Sequence, residues 1–298
     1  MNYINLKANA KINLALDVID KREDSYHNLK MVMQTLRLHD NIFMKKSSVV
    51  RLNLETNVKK LPTDEKNLVY KAVDLIQKNY NVSSGVHIEI AKNIPISAGL
   101  AGGSADCAAA LIGMKKLFDL QISNKELMEI GKSLGADVPY CILQGTALAE
   151  GIGDKLTKLP AHPFVYVLLV KPNISVSTAN VFKSLDFENI KQRPNVDKML
   201  KDIKAGNIHE ISKGFCNVLE SVTEVNYPII RDIKRVMLEN NAMGALMSGS
   251  GPTVFGYFET KKNAFCAIRY IKSNMPDVKE IYLTGIFNRA RRRKYERG

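Results

Sequence analysis

Residues 95–105 read Pro-Ile-Ser-Ala-Gly-Leu-Ala-Gly-Gly-Ser-Ala and run straight into Asp106-Cys-Ala-Ala-Ala-Leu. A strand-like segment, Val86-His-Ile-Glu-Ile-Ala, precedes them, so the order is strand, glycine-rich loop, helix start. Backbone N–H groups with little side chain around them then sit at the positive end of a helix dipole, which suits an anion and above all phosphate. The same glycines would also serve a tight connection that needs only positive φ, so their number alone does not decide. Neither the Lys-Ser/Thr of a Walker loop nor the Gly-x-Gly-x-x-Gly of dinucleotide folds is present. The context favours phosphate: Pro95 fixes the entry, Ser104 is placed to cap the helix, and Ala101 and Ala105 permit close approach.

Two further side chains could act on a bound phosphate: Lys11, on an alternating segment, and Asp137, in Gly-Ala-Asp-Val-Pro. Phosphoryl transfer asks for positioning, positive charge and a base for the acceptor hydroxyl. A lysine beside an aspartate favours the ionised carboxylate and steadies a developing alkoxide. On position alone, Asp137 also reads as a surface or capping carboxylate, and Lys11 with Asn13 as an ordinary solvated strand face. Other chemistries find little support. The five histidines are dispersed, without zinc-ligand spacing, and no Gly-x-Ser-x-Gly elbow occurs. Cys107, Cys141, Cys216 and Cys266 lack paired spacing and read as reduced, mostly buried thiols of a cytosolic protein.

The elements that must hold these residues follow from periodicity. Ile4, Leu6, Ala8, Ala10, Ile12, Leu14, Leu16 and Val18 alternate with polar residues, which predicts a half-buried strand or strand pair with Lys11 and Asn13 facing away from the core. Asp24-Ser-Tyr-His reads as a turn before a strand from Met31, and residues 47–57 as a further strand. Helices are predicted over 67–80 and 104–117, the second apolar and buried. Ser123-Asn-Lys-Glu is a capping box for a helix that Gly135 ends. Val138 precedes a proline and favours extended backbone, so that helix is not expected to resume beyond Asp137. Pro160 and Pro163 mark the expected boundary between a domain of residues 1–160 and one of 161–298. In the second, strands are predicted over 164–171 and 280–287, and helices over 195–205, 208–219, 228–240 and 264–274, with a helix start at 177–182. A strand, glycine turn and strand cover 245–258. This mixed order predicts an α+β fold.

A chain of 298 residues suits two domains, and 45% hydrophobic with 24% charged residues describes a soluble globular protein. No apolar run nears the roughly twenty residues of a membrane helix. Lys7, Lys11 and Asp17 break any signal-peptide pattern at the start. The net charge of +13 suits nucleic acid, an anionic membrane or anionic small substrates, and charge alone does not choose. It is scattered apart from the run of Arg291, Arg292, Arg293 and Lys294, which reads as a solvated tail.

Residues 95–105 resemble the second motif of the GHMP kinase superfamily, the group of galactokinase, homoserine kinase, mevalonate kinase and phosphomevalonate kinase. Met247-Ser-Gly-Ser-Gly-Pro-Thr-Val-Phe resembles its glycine-rich third motif. Lys7-Ala-Asn-Ala-Lys-Ile-Asn-Leu, the Asp24-Ser-Tyr-His turn, Gly135-Ala-Asp-Val-Pro and Thr146-Ala-Leu-Ala-Glu-Gly-Ile-Gly are similar to those of one branch, whose acceptor is cytidine diphosphate methylerythritol. The resemblance spans nearly the whole chain. It implies a ribosomal-protein-like β/α first domain that binds ATP and an α+β second domain that contributes to the substrate site. It further implies a cytoplasmic, magnesium-dependent kinase of the non-mevalonate isoprenoid route that phosphorylates a 2-hydroxyl, with no nucleic-acid or membrane partner. Oligomeric state is left open.

Carried over residue by residue, the resemblance makes Asp137 the general base and Lys11 its charge partner. Pro95, Ile96, Ser97, Ala98, Gly99, Leu100, Ala101, Gly102, Gly103, Ser104 and Ala105 would wrap the ATP phosphates, with Asn67 and Lys92 at the nucleoside end. His27 would read the cytosine edge, Tyr26 and Phe182 would sandwich its ring, and Asn13 and Thr178 would orient the methylerythritol and phosphate portions. Gly249, Ser250 and Gly251 would complete the substrate site. Without the resemblance, Tyr26 and Phe182 read as core aromatics. The chain departs from the pattern at Ala105, where many members carry a second serine, and this bears on how magnesium is held. Two other readings remain: a homoserine- or mevalonate-type kinase, which does not need Tyr26, His27 and Phe182, and a basic RNA-binding protein, which needs clustered cations interleaved with exposed aromatics.

Overall fold

The computed structural model describes residues 1–24, 26–49 and 52–288; the basic run 291–294 lies outside them. Two long strands, β1 (Tyr3–Lys21) and β2 (His27–Ser47), open the chain. β3 (Leu52–Thr56), α1 (Leu68–Asn79), β4 (Gly85–Ala91), α2 (Gly102–Leu117), α3 (Asn124–Leu134), α4 (Val138–Leu143), β5 (Thr146–Gly151) and β6 (Lys155–Lys158) follow. Next come β7 (Tyr166–Pro172), α5 (Thr178–Lys183), α6 (Val196–Ala205), α7 (Ile208–Lys213) and β8 (Cys216–Asn217). The chain continues through α8 (Glu220–Asn226), α9 (Ile229–Glu239), β9 (Gly244–Met247), β10 (Val254–Phe258), α10 (Lys261–Asn274) and β11 (Val278–Gly285). Helices and strands mix without a repeating βαβ order, which is the expected α+β organisation.

Seven strands form one sheet, ordered β3-β4-β2-β1-β8, with β5 beside β2 and β6 beside β5. β2 is long enough to pair with β5 near its start and β4 near its end. The second sheet is β11-β7-β10-β9, antiparallel throughout. Short β8 returns to pair in parallel with β1, setting Asn217 opposite Leu16, and Leu36 of β2 bridges to Ile286.

β1 differs from the expected half-buried strand in a way that makes the site. Its pairing with β2 shifts register between Asn9 and Lys11 and again between Asn13 and Ala15. Such irregularities re-aim side chains, so the even-numbered residues do not share one face. Ala8, Leu16 and Val18 join the core under α1 and α2, whereas Ala10, Ile12, Leu14 and Ala15 join the core of Val167, Leu169 and Phe255 on the second sheet. Lys11 and Asn13 are buried rather than on an ordinary solvated face.

Asn67, Ser123, Ser177 and Asn195 cap α1, α3, α5 and α6, each accepting from a backbone N–H of the first turn. Three expectations are corrected. α2 starts at Gly102, two residues before Ser104, with no side-chain cap. α4 does resume after Gly135, because Pro139 falls in its first turn, where a missing N–H costs little. The helix expected over 208–219 stops at Lys213 and becomes β8, and α8 follows. Residues 47–57 divide between the end of β2 and β3. Among the described residues no helix is long and apolar enough to cross a membrane. All four cysteines are free, but only Cys107 and Cys141 are buried; Cys266 is exposed.

Candidate active site

Two glycine-rich turns interlock at Gly99. At φ +74° it lies in the left-handed region, and a Cβ there would collide with the Ser248 carbonyl oxygen. Ser248 Oγ donates to the Gly99 carbonyl at 3.0 Å. On the other side the Lys11 main-chain N–H donates to the Leu100 carbonyl at 3.1 Å. The loop is thus pinned between β1 and the β9–β10 turn. Beyond it Ala101 leads into α2, whose first turn carries neither a capping side chain nor an acidic residue. Its free amides and the helix dipole form an anion site that a Ser104 cap would have occupied.

Two cavities meet at this loop. The smaller, about 380 Å³, is walled by Pro95, Ile96, Ser97, Ala98, Gly102 and Gly103, with Pro62, Asn67 and Lys92. The larger, about 700 Å³, is walled by Lys11, Asn13, Tyr26, His27, Asp137, Thr178, Phe182, Gly249 and Ser250. Gly99, Ala101 and Ser104 line both, so groups held in the two cavities meet there. Leu100 and Ala105 are buried beneath the loop, and Gly251, at φ +89°, packs on Met247; these three line neither cavity.

Lys11 and Asp137 come together in the larger cavity, with Nζ 3.5 Å from Oδ2. The Lys11 ammonium also donates to Asn13 Oδ1 at 2.8 Å. Lys11 is almost fully buried while the Asp137 side chain stays 32% exposed, so the carboxylate faces the cavity with the cation behind it. Asp137 sits at the N-cap of α4, but its side chain makes no capping bond. The capping alternative therefore fails, and the carboxylate is free for a ligand.

The GHMP kinases N terminal domain matches residues 67–145 and the GHMP kinases C terminal domain matches 199–277. The 4-diphosphocytidyl-2-C-methyl-D-erythritol kinase of Caldicellulosiruptor bescii is 50% identical over 94% of this chain and 96% of its own. The chain belongs to that family of GHMP kinases. A crystal structure of 4-(cytidine 5'-diphospho)-2C-methyl-D-erythritol kinase superposes with a TM-score of 0.81 at 28% identity, covering 96% of this chain and all of that one. Homoserine kinase from Cytophaga hutchinsonii shares the fold, with a TM-score of 0.76 at 20% identity over 95% of each chain.

In this kinase the far end of the larger cavity is aromatic. Phe182 lies near-parallel to the His27 imidazole, with centroids 5.0 Å apart, and Phe187 does the same at 5.6 Å. Burial, with Lys21 nearby, lowers His27 below the ordinary imidazole value and leaves the ring neutral at pH 7. Tyr26, on the β1–β2 turn, is 60% exposed rather than a core aromatic. Thr178 Oγ1 and Ser250 Oγ share a hydrogen bond of 2.8 Å, tying α5 to the third glycine motif.

Asn67 caps α1 and donates to the Pro62 carbonyl at 2.8 Å, at the rim of the smaller cavity. Lys92 is committed elsewhere: its ammonium bonds Asp40, and Asp106 Oδ2 at 2.7 Å, beneath the start of α2. Asp40 Oδ1 in turn accepts the Ile94 N–H at 2.8 Å. Burial opposes the Lys92 charge, but the two carboxylates outweigh it and the amine's pKa is raised. Burial raises the Asp106 carboxyl well above the usual range.

Sequence reasoning missed Asp40, Asp106, Phe187 and Asn217. Asn217 donates to the carbonyls of Met247 at 2.9 Å and Gly249 at 2.7 Å, and so shapes the third motif from behind. Only Asp106, in an apolar helical run, carried a local signal: an acid buried there must have a partner.

Proposed function

We propose that this chain transfers the γ-phosphoryl group of ATP to the 2-hydroxyl of 4-diphosphocytidyl-2-C-methyl-D-erythritol, a step of the non-mevalonate isoprenoid route. One observation carries the reading: the Lys11–Asp137 pair stands in the larger cavity beside the three residues that both cavities share. ATP occupies the smaller cavity, its phosphates on the amides of residues 96–99 and 101–104 and its nucleoside end towards Asn67 and Lys92. The γ-phosphate then lies at Gly99, Ala101 and Ser104. Asp137 takes the proton of the acceptor hydroxyl, and Lys11 offsets charge on the oxygen as it attacks.

Asn13 and Thr178 orient the methylerythritol and phosphate portions beside Gly249 and Ser250. Neutral His27 offers the cytosine edge a donor and an acceptor, and Tyr26 and Phe182 flank the ring. Residues 1–160 form the ATP-binding domain on this reading, and the remainder completes the acceptor site. Among the described residues no group of three or more His, Cys, Asp or Glu could hold a metal ion. Mg²⁺ arriving with its nucleotide does fit: the Ser104 hydroxyl and the phosphates would hold it, and it would neutralise charge on the transferring group.

The test offers the purified chain ATP with the cytidine-bearing acceptor, homoserine or mevalonate. Turnover of the first alone is expected, and a preference for homoserine would overturn the reading. Asp137→Asn should keep the fold and lower kcat by about a hundredfold to ten-thousandfold, the usual contribution of a positioned base. Near-normal turnover in that variant removes Asp137 from the role.

A further inference from the structure

His27 presents a geometric puzzle that the active-site reading leaves open. Its ring nitrogens have no hydrogen-bond partner among the described residues, although they are the groups assigned to read a base. A histidine that recognises a ligand through one nitrogen is ordinarily oriented by a bond through the other. Among the described residues its aromatic partners are two phenyl faces. Phe182 comes from α5 with an interplanar angle of 25°, and Phe187 from the chain beyond α5 with an angle of 18°. That chain is fastened at its far end: Arg193 Nη1 donates to Asp17 Oδ1 at 2.6 Å and to the Val18 carbonyl at 3.0 Å, both on β1. Past it, Asp197 of α6 pairs with Lys30 of β2 at 3.0 Å.

We propose that Phe187 is a positioning residue for base recognition, fixing the plane of the His27 imidazole through a strap that Arg193 clasps to β1. The proposal rests on the cytidine-bearing acceptor of the preceding section. Two near-parallel faces permit the imidazole to slide but resist its tilting, so its nitrogens stay directed along one plane towards the incoming base. Stacking on carbon faces also leaves both nitrogens free, which a conventional hydrogen-bonded orienter would not. The clasp explains why a phenylalanine outside any helix can hold this place, since Asp17 is buried and Arg193 anchors the strap within six residues of the ring.

The experiment compares Phe187→Ala and Phe187→Tyr with the unmodified chain in three readouts: KM for the cytidine-bearing acceptor, KM for ATP, and the His27 titration followed by NMR. A uridine analogue of the acceptor serves as the second probe. Phe187→Ala should raise the acceptor KM about threefold to tenfold, the scale of one aromatic pair, while kcat and the ATP KM stay within about twofold. Discrimination between cytidine and uridine acceptors should fall with it, and Phe187→Tyr should restore both. The His27 titration should move up towards the ordinary imidazole value as its cover is removed. Equal losses in acceptor KM, ATP KM and kcat would mean a purely structural role and overturn the proposal, as would an unchanged acceptor KM and His27 titration. Failure of the unmodified chain to use the acceptor would instead overturn the function, leaving the titration to report on the ring contact alone.

Discussion

The two cavities that share Gly99, Ala101 and Ser104 are built by opposite means. The smaller, assigned above to the nucleotide, is walled mainly by one continuous loop that offers backbone amides and is seated on a buried charge cluster of Lys92, Asp40 and Asp106. The larger, assigned above to the acceptor, is a set of side chains gathered from β1, the β1–β2 turn, the start of α4, α5 and the β9–β10 turn, tied by the Lys11–Asp137 pair and by hydrogen bonds such as Thr178 to Ser250. Amides bind phosphate whatever the acceptor is, so the first construction suits any substrate of such a fold. Side chains carry shape and direction, so selectivity has to be written in the second. Damage to the nucleotide side should therefore appear first as lost stability, and damage to the acceptor side first as lost affinity for one substrate.

Lys92→Met tests the first half of that contrast and should have the largest effect. It strands two carboxylates that are almost fully buried, and removing one partner of a buried ion pair costs about 3–5 kcal/mol. The urea midpoint should fall accordingly, with the ATP KM rising before the acceptor KM. A variant as stable as the parent would show that the cluster does not seat the loop.

Asn217→Ala probes the other side with a smaller expected effect. It leaves the Met247 and Gly249 carbonyls without their donor in a buried setting, at about 1–3 kcal/mol. Because Gly249 lines only the larger cavity, the acceptor KM should rise while the ATP KM holds. Parallel changes in both constants would erase the distinction between the two sides.

What could be read in advance divides along the same line. The phosphate loop was legible because its function resides in contiguous backbone, and contiguous backbone leaves a glycine pattern. The cap at Ser123 was legible for a similar reason, since it acts on an amide three residues away, whereas the cap expected at Ser104 did not form. β1 announced itself as a strand, but period two does not say what covers the second face, so the burial of Lys11 and Asn13 came only with the bulges. Val138-Pro139 misled because a rule about the residue before proline was applied where the first-turn rule governs. Phe187, Asn217 and Asp40 left no trace, because their partners lie far away in the chain and no local composition marks them.

The smallest expected effect concerns His27 and the sign of its titration. Burial holds its pKa below the ordinary imidazole value, chiefly by excluding water, with Lys21 adding repulsion and Asp20 opposing it. The neutral ring that can both donate and accept thus predominates above the ordinary imidazole value and is lost as pH falls through the lowered one. Any stability linked to the shift follows the same direction: complete above the ordinary value and lost on acidification. The acceptor KM should be flat across that upper range and rise by a few-fold only at lower pH, a trend absent in His27→Gln, whose side chain does not titrate. The ATP KM supplies the internal control, because His27 does not line the smaller cavity. An acceptor KM that already climbs at a pH above the ordinary imidazole value would mean that water reaches the ring freely. The acceptor side would then be more open than its stacked rings imply, and the contrast with the sealed charge cluster under the phosphate loop would be sharper still.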